Sequence, residues 1–502
     1  TGCGGSSSDD TSATYTSSYI QLYNGSANST STRLILTDSD DSSVLAGAAT
    51  YTDATSLVTY TPATYDIKLS RLNSDGDDIS ALETSITLRQ SYKHLLLLTG
   101  DYNSPELLTL EFLRDDSLTD SFKLYVASLL TADTAYDVYI SDSDASFADA
   151  SLVATVNYQQ ISEPLEFTLG SYIIYITEAG SNDVLFTSSS YSFSYLTEYV
   201  LVPRLASGPL QGNIAVDVIN NTTTVTHLTD IAATAQFRLY NSVDSTEPTD
   251  IYLNNSIAFT SLAHDTFSDY LQLDAADYRL SATDVQGNSL LKNALLTLNQ
   301  GESKAIVLYK NSSAVFSSIV VEESNLPQIY DFDISVVNVI TDYPSLSLYF
   351  VPPNETIDTT EYYITSLSQG AHTDINLPDG EYRILLVYTD SNKNKVLLAE
   401  SESEQFVAGR NYLLVAEPDL VALHKHFNAK QTGAAQCGGD FVGHVLRISQ
   451  GFGAHGLGLP AFHIITTHLN VANRLAIAGF DRTGFRVAAA HSQQSDFIVK
   501  LN

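Results

Sequence analysis

The sequence predicts an all-β protein built from four tandem β-sandwiches, and three observations predict it. Tyr65, Tyr172, Tyr278 and Tyr382 recur at intervals of 107, 106 and 104 residues, each opening a short strand-like run such as Tyr-Ile-Ile-Tyr-Ile at 172–176. A fixed period of this length marks one domain repeated along the chain. Second, the other strand patterns keep the same period. Third, no segment carries a sustained helical period, while short alternating runs separated by Asn, Asp, Gly and Ser turns fill units of about 100 residues, the size of a sandwich module.

Each repeat can be read strand by strand. An opening strand ends in Leu22-Tyr23-Asn24, Leu124-Tyr125, Leu239-Tyr240-Asn241 and Val336-Val337-Asn338. A second strand follows at Arg33–Leu36, Asp137–Ile140, Asp250–Leu253 and Leu346–Phe350. The strand headed by the repeated tyrosine comes next. An apolar strand begins 27 residues after it in the first three repeats, at Tyr92, Tyr199 and Ala305, and 30 after it in the fourth, at Tyr412. Closing strands are read at Leu107–Leu113, Asn213–Ile219 and Ser317–Glu322. These landmarks divide the chain into a polar lead at 1–18, sandwiches at 19–116, 117–222, 223–326 and 327–421, and a C-terminal segment at 422–502. Four sandwiches in series suggest a rod or an arc.

Composition narrows the functional classes. Hydrophobic residues make up 44% of the 502, enough for packed cores, so the Ser, Thr and Asp content belongs to turns and outward faces. The 24 Lys and Arg against 58 Asp and Glu leave a net charge of −34. Such a surface repels nucleic acid and anionic membranes, and nucleic acid is excluded as a partner. With two cysteines, Cys3 and Cys437, the fold has no disulfide framework. No apolar stretch reaches the roughly 18 residues a spanning helix needs. Met and Trp are both absent, and no physical reason for that is evident.

The N-terminal run Thr1-Gly2-Cys3-Gly4-Gly5-Ser6-Ser7-Ser8-Asp9-Asp10 resembles the cleavage junction of bacterial lipoproteins, a small residue before a cysteine and a flexible polar tether after it. The resemblance implies acylation of Cys3, with membrane contact only through that anchor, and Gly rather than Asp after Cys3 implies the outer membrane. A second resemblance covers roughly residues 17–421. The stretches Thr131-Ala132-Asp133-Thr134-Ala135-Tyr136-Asp137-Val138-Tyr139-Ile140 and Leu377-Pro378-Asp379-Gly380-Glu381-Tyr382, with Leu273–Tyr278 as a weaker copy of the latter, resemble the bacterial cell-surface family of unknown function DUF4397. That family implies an immunoglobulin-like sandwich on envelope proteins and supplies no catalytic residues.

Candidate sites are few. Tyr65, Tyr172, Tyr278 and Tyr382 read best as structural, each ring over a sandwich edge with its hydroxyl on a nearby backbone group; carbohydrate stacking is the alternative. Asp38, Asp40 and Asp41, then Asp75, Asp77 and Asp78, then Asp142 and Asp144 form acidic clusters in interstrand turns. Solvated turns are the simpler reading and no cofactor is expected. Ca²⁺ is the one cation such oxygen donors would suit, although the EF-hand spacing is missing. From Leu423 onward the character changes: no Glu, no Tyr, and 7 of the 11 His. His424, His426, His444, His455, His463, His468 and His491 have no recognised metal spacing, and Gly451–Gly458 resembles a phosphate loop only superficially. The segment reads as a small separate domain or tail, or as an assembly element.

No nucleophile elbow, zincin helix or nucleotide loop is present, so an enzyme is not expected. The expectation is a non-catalytic cell-surface lipoprotein with a structural, assembly or adhesive role, its partners being other envelope proteins or copies of itself. A glycan- or Ca²⁺-binding surface module and a subunit of an extracellular filament or sheath are the alternatives.

Overall fold

A computed structural model describes residues 17–418 except for short stretches at 74–75, 116, 132–133, 207–212, 221–223, 244–247, 325 and 407–409, together with strands at 444–452 and 496–499. The chain is all-β, with one short 3-10 turn at Phe147–Asp149 among the described residues. It forms two compact units, the first ending at Ile231 and the second beginning at Ala232.

The first unit holds two sandwiches. Sandwich 1 contains β1 (Ser18–Asn24), β2 (Thr32–Thr37), β3 (Ser43–Ala49), β4 (Val58–Tyr60), β5 (Thr64–Leu72), β6 (Asp78–Thr87), β7 (Tyr92–Thr99) and β8 (Glu106–Leu113). Its sheets run β4-β1-β7-β8 and β3-β2-β5-β6. Sandwich 2 contains β9 (Ser121–Val126), β10 (Tyr136–Asp142), β11 (Ser151–Val156), β12 (Leu165–Thr168), β13 (Gly170–Glu178), β14 (Val184–Thr187), β15 (Tyr191–Phe193), β16 (Glu198–Leu205), β17 (Ile214–Ile219) and β18 (Val225–Leu228). Its sheets run β12-β9-β16-β17-β18 and β11-β10-β13-β14, with β15 also on β13.

The second unit repeats the plan. Sandwich 3 contains β19 (Thr234–Asn241), β20 (Thr249–Leu253), β21 (Ser256–Leu262), β22 (Thr266–Phe267), β23 (Leu271–Asp274), β24 (Ala276–Thr283), β25 (Ser289–Leu298), β26 (Ser303–Lys310) and β27 (Phe316–Glu322). Sandwich 4 contains β28 (Asp331–Asn338), β29 (Ser345–Val351), β30 (Tyr363–Ser368), β31 (Ala371–Pro378), β32 (Glu381–Thr389), β33 (Lys395–Gln405), β34 (Arg410–Pro418), β35 (His444–Phe452) and β36 (Asp496–Val499). In all four sandwiches the opening strand pairs in parallel with the apolar strand: β1 with β7, β9 with β16, β19 with β26, β28 with β34.

Three strands fall outside the expected boundaries. β18 lies beyond residue 222, yet it pairs antiparallel with β17 and therefore completes sandwich 2. In sandwich 4 the strand in the closing position is β35, which pairs with β34 from within the C-terminal segment. The rest of 422–502, apart from β36 on β35, lies outside the described residues.

Instead of the end-to-end series suggested by the sequence, the sandwiches within each unit pack sheet against sheet. In the first unit Tyr23, Leu95, Leu97, Leu110 and Phe112 of sandwich 1 meet Tyr125, Ala127, Val200, Val202 and Ile219 of sandwich 2. In the second, Tyr240, Ala305, Val307, Ile319 and Val321 meet Val337, Val339, Leu413 and Val415. The contacting sheets thus have one face on their own core and the other on a neighbour. Their strands are apolar without alternation: Leu95, Leu96, Leu97 and Leu98 are each at most 3% exposed. A sheet covered on both faces has this signature. The outer sheets cover their core on one face only, and their strands alternate, as in β2, whose six residues are in turn buried and half-buried.

The two layers also differ in regularity. Eight edge strands of the outer sheets (β3, β6, β11, β14, β21, β25, β30 and β33) carry a register break against their neighbour, while the three-residue β15 pairs with β13 without one. The inner-sheet ladders run without a break. Bulges bend an edge and spoil it as a template for further pairing.

Leu97 is fully buried in the contact between the sandwiches, so Leu97→Ala is expected to destabilise the first unit by about 2–5 kcal/mol. Chemical denaturation of the full chain checks this: a shifted first transition is expected.

Candidate functional site

The four repeated tyrosines adopt one geometry. Each hydroxyl donates to the carbonyl four residues upstream: Tyr65 to Thr61 at 3.0 Å, Tyr172 to Thr168 at 2.8 Å, Tyr278 to Asp274 at 2.7 Å and Tyr382 to Pro378 at 2.9 Å. The bond ties the entry loop to the strand it leads into, as at the tyrosine corner of sandwich folds. The rings of Tyr65, Tyr172 and Tyr382 are buried, and Tyr278 is half-buried. Burial raises the Tyr382 phenol, with Tyr362 adding to it, and burial followed by Asp274 raises that of Tyr278. Tyr382 packs edge-on against Tyr362 at 5.8 Å and Tyr65 against Tyr60 at 5.7 Å. Rings placed so present little face to a sugar.

The acidic clusters resolve into turn chemistry. Asp38 Oδ1 accepts from the backbone N–H of Asp40 and of Ser42, both at 2.9 Å, while Asp41 takes φ 60°. The same device heads four more described hairpins, at Asn73, Asp284, Asn311 and Asp390. Their fourth residues, Gly76, Gly287, Ala314 and Lys393, also have positive φ. Asx side chains stabilise such loops by replacing a backbone acceptor. The bonds from Asn288 and Asn394 hold the Asp284 and Asp390 carboxyls below the usual range.

The remaining candidates scatter. Asp78 pairs with Arg33 at 2.7 Å and accepts from Ser70 at 2.9 Å, and Asp77 donates its N–H to Asn73. Asp142 ends β10, with Asp144 exposed in the turn beyond it. Cys3, Asp75 and all the C-terminal histidines except His444, which opens β35, lie outside the described residues. Among the described residues no group of three or more His, Cys, Asp or Glu could hold a metal ion.

The buried charges that sequence reasoning missed sit between the paired sandwiches. Asp217, fully buried on β17, receives the Tyr23 hydroxyl from sandwich 1 at 2.5 Å and the Arg204 guanidinium at 2.7 and 3.1 Å. His227 Nδ1 lies 2.9 Å from its other oxygen. Burial alone would push the Asp217 carboxyl up, but the bonds from His227 and Arg204 outweigh it and hold the group low. Burial and Asp217 together push the Tyr23 phenol well above its ordinary value. Across the same contact Lys93 of sandwich 1 pairs with Glu198 of sandwich 2 at 2.5 Å, both nearly sealed from water.

The second unit meets the corresponding tyrosine with a different acid, carried on β34 instead of on a closing strand. Glu417 accepts from Tyr240 at 2.9 Å and from Ser242 at 2.6 Å, joining sandwiches 3 and 4. Arg238, fully buried, pairs with Glu323 at 2.5 Å and lies 4.4 Å from the Phe267 ring centre. A buried charge is tolerated only when paired and hydrogen-bonded, and these groups are. Tyr23 and Tyr240 occupy corresponding positions of β1 and β19, so their shared place in the repeat was the available signal. Beside Lys93 and Glu198 lies a cavity of about 10 Å³, lined also by Gln21, Leu57 and His94, with room for one water and no substrate.

Tyr382→Phe is expected to cost about 1 kcal/mol, since Pro378 loses its donor, and a thermal melt would record it. Asp217→Asn is expected to cost about 3–5 kcal/mol at neutral pH, because Arg204 is left buried without its counter-charge. The Asp217 carboxyl is depressed on folding, so its stabilisation is full above the unfolded pKa of about 3.9 and lost as pH falls through the folded value. The gap between wild type and Asp217→Asn should therefore close in acid, as denaturation at pH 7 and below pH 3.9 would show.

The model of the family DUF4397, a domain of unknown function, matches residues 235–349, which hold sandwich 3 and the first strands of sandwich 4. No curated protein matches. Among solved structures, the Bacillus anthracis TIE protein matches at 10% identity, covering 79% of this chain and 67% of that one, with a TM-score of 0.12. The major pilin subunit of Bacillus cereus matches at 10% identity over 57% of this chain and 94% of its own, with a TM-score of 0.11. A putative cell adhesion protein of Bacteroides fragilis matches at 12% identity over 39% and 86%, with a TM-score of 0.13. At such scores none of the three superposes on the chain as a whole. The match to the DUF4397 model thus falls on sandwich 3 and the first strands of sandwich 4.

Proposed function

We propose that the chain is a non-catalytic building or display element of a bacterial cell surface. The observation that carries this reading is where the reactive groups are spent. The buried acids Asp217, Glu198 and Glu417 and the buried bases Lys93 and Arg238 face each other or neighbouring hydroxyls inside packed contacts. A general acid, base or nucleophile must instead open onto a site that a substrate can enter. The acidic turns are occupied in bonding their own backbones, and the repeated tyrosines in fixing their own loops. What these groups produce is rigidity, which suits a structural or display role.

The sequence-based assignment of a lipid anchor to Cys3 belongs to the same proposal, since two or more acyl chains would hold the chain at the membrane surface. No helix among the described residues is long and apolar enough to cross a membrane.

Protease treatment of intact cells tests the location. Peptides from the exposed hairpins, such as that around Asp38–Ser42, are expected in the supernatant before lysis. Their release only after lysis would overturn the surface reading. Incorporation of a labelled fatty acid, abolished in Cys3→Ala, is the expected result for the anchor; equal labelling of the variant would refute it.

A further inference from the structure

We propose that His94 is a pH-sensitive latch, which when neutral ties the start of β1 to the turn before β7 and when protonated lets that turn go. His94 lies on β7, paired in parallel with Ile20 of β1 and antiparallel with Glu111 of β8, and its side chain is fully buried. Both ring nitrogens are engaged. The backbone N–H of Arg89 donates to Nε2 at 3.3 Å, so Nε2 carries no proton. Nδ1 lies 3.1 Å from the Tyr19 carbonyl, which can only accept, so Nδ1 carries the proton. The geometry therefore specifies a neutral imidazole in one tautomer.

The ring joins two segments far apart in sequence, and further bonds cross the same seam. Ser18 Oγ donates to the Arg89 carbonyl at 2.6 Å, and the Ser91 N–H donates to the Ser17 carbonyl at 2.9 Å. In sandwiches 3 and 4 the corresponding position, by the same parallel pairing, holds Lys304 and Tyr412. The device is thus an addition to sandwich 1 and not a requirement of the repeat.

A proton arriving at Nε2 would set one N–H against another, and the bond from Arg89 must break. The charged ring has another partner within reach. Glu111 Oε1 is 3.9 Å from Nε2, and Glu111 is meanwhile held by the Arg89 guanidinium at 3.6 Å. Protonation gives Glu111 to the imidazolium and frees Arg89 at both its backbone and its side chain. The other charges nearby are engaged elsewhere: Lys93, next on β7, with Glu198 in the contact with sandwich 2, and Arg114 with the Tyr19 hydroxyl at 2.9 Å. Burial lowers the pKa of His94, and the Tyr19 carbonyl and Glu111 offset this only in part. The latched form is therefore fully favoured above the unfolded value of about 6.5, and loses ground as pH falls from there toward the folded value.

Hydrogen exchange on the full chain, corrected for the intrinsic pH dependence of amide exchange, reads the latch. One proton per opening allows at most about a tenfold rise per pH unit. Opening of 18–20 and 88–92 should rise at least about threefold from about pH 7.5 to about 5.5, while the corresponding turn at 299–302 stays unchanged. His94→Gln keeps one donor and one acceptor without a titrating group, and should flatten the response. Should His94→Gln fail to fold, the wild-type contrast between 88–92 and 299–302 decides. Opening at 88–92 that ignores pH, an equal rise at 299–302, or an undiminished rise in His94→Gln would each overturn the proposal.

Discussion

Covering the inner sheets on both faces is the constraint on which the rest of the structure depends. A sheet hidden from water on both sides has no polar face, so its strands must be apolar throughout, as in Leu95–Leu98 and Ala305–Leu308. The parallel pairing of opening and apolar strands places these runs at the centre of each inner sheet. Two sandwiches whose inner sheets share a dry contact then stand or fall together. That coupling gives each unit a larger core than a single sandwich of about 100 residues could assemble.

The same constraint explains the placement of charge. Polar groups in a dry contact must find partners there, and the acid differs between units because the partner differs. Asp217 answers Arg204 and a tyrosine from across the contact; Glu417 answers a tyrosine and a serine. Removing either acid would take an acceptor from a buried tyrosine hydroxyl and, in the first unit, the counter-charge from Arg204. Register follows from this, since a one-residue slip of β17 or β34 would turn the acid to the other face. The outer sheets carry no such burden. Their bulged edges and Asx-headed turns serve solubility, each loop closing its own backbone bonds without help from elsewhere.

Much of the fold is legible in the sequence because its causes are local. Period-two alternation marks the outer strands, and Asn or Asp with a positive-φ residue three positions later marks hairpins. The tyrosine period follows from one bond of fixed reach, repeated from Tyr65 to Tyr382. Pairing between sandwiches is less legible because the contacts join residues far apart, such as Tyr23 and Asp217. A signal for it exists all the same. The runs at Leu95–Leu98 and Tyr412–Val415 fail to alternate, and a half-exposed sheet would not tolerate that. Boundaries suffered for a related reason: β18 is a short strand past the expected break, and only its ladder with β17 assigns it. A cation stood as the alternative for the acidic clusters because side chains that accept from backbone N–H groups look, in sequence, like side chains awaiting a metal.

Native-state hydrogen exchange on the full chain tests the two-sandwich unit most directly. If sandwiches 1 and 2 are one cooperative body, the slowest amides of β7 and β16 open with the same free energy and respond equally to denaturant. Separate opening, with β1–β8 exchanging at one free energy and β9–β18 at another, would show that the shared contact is incidental and that each sandwich stands alone.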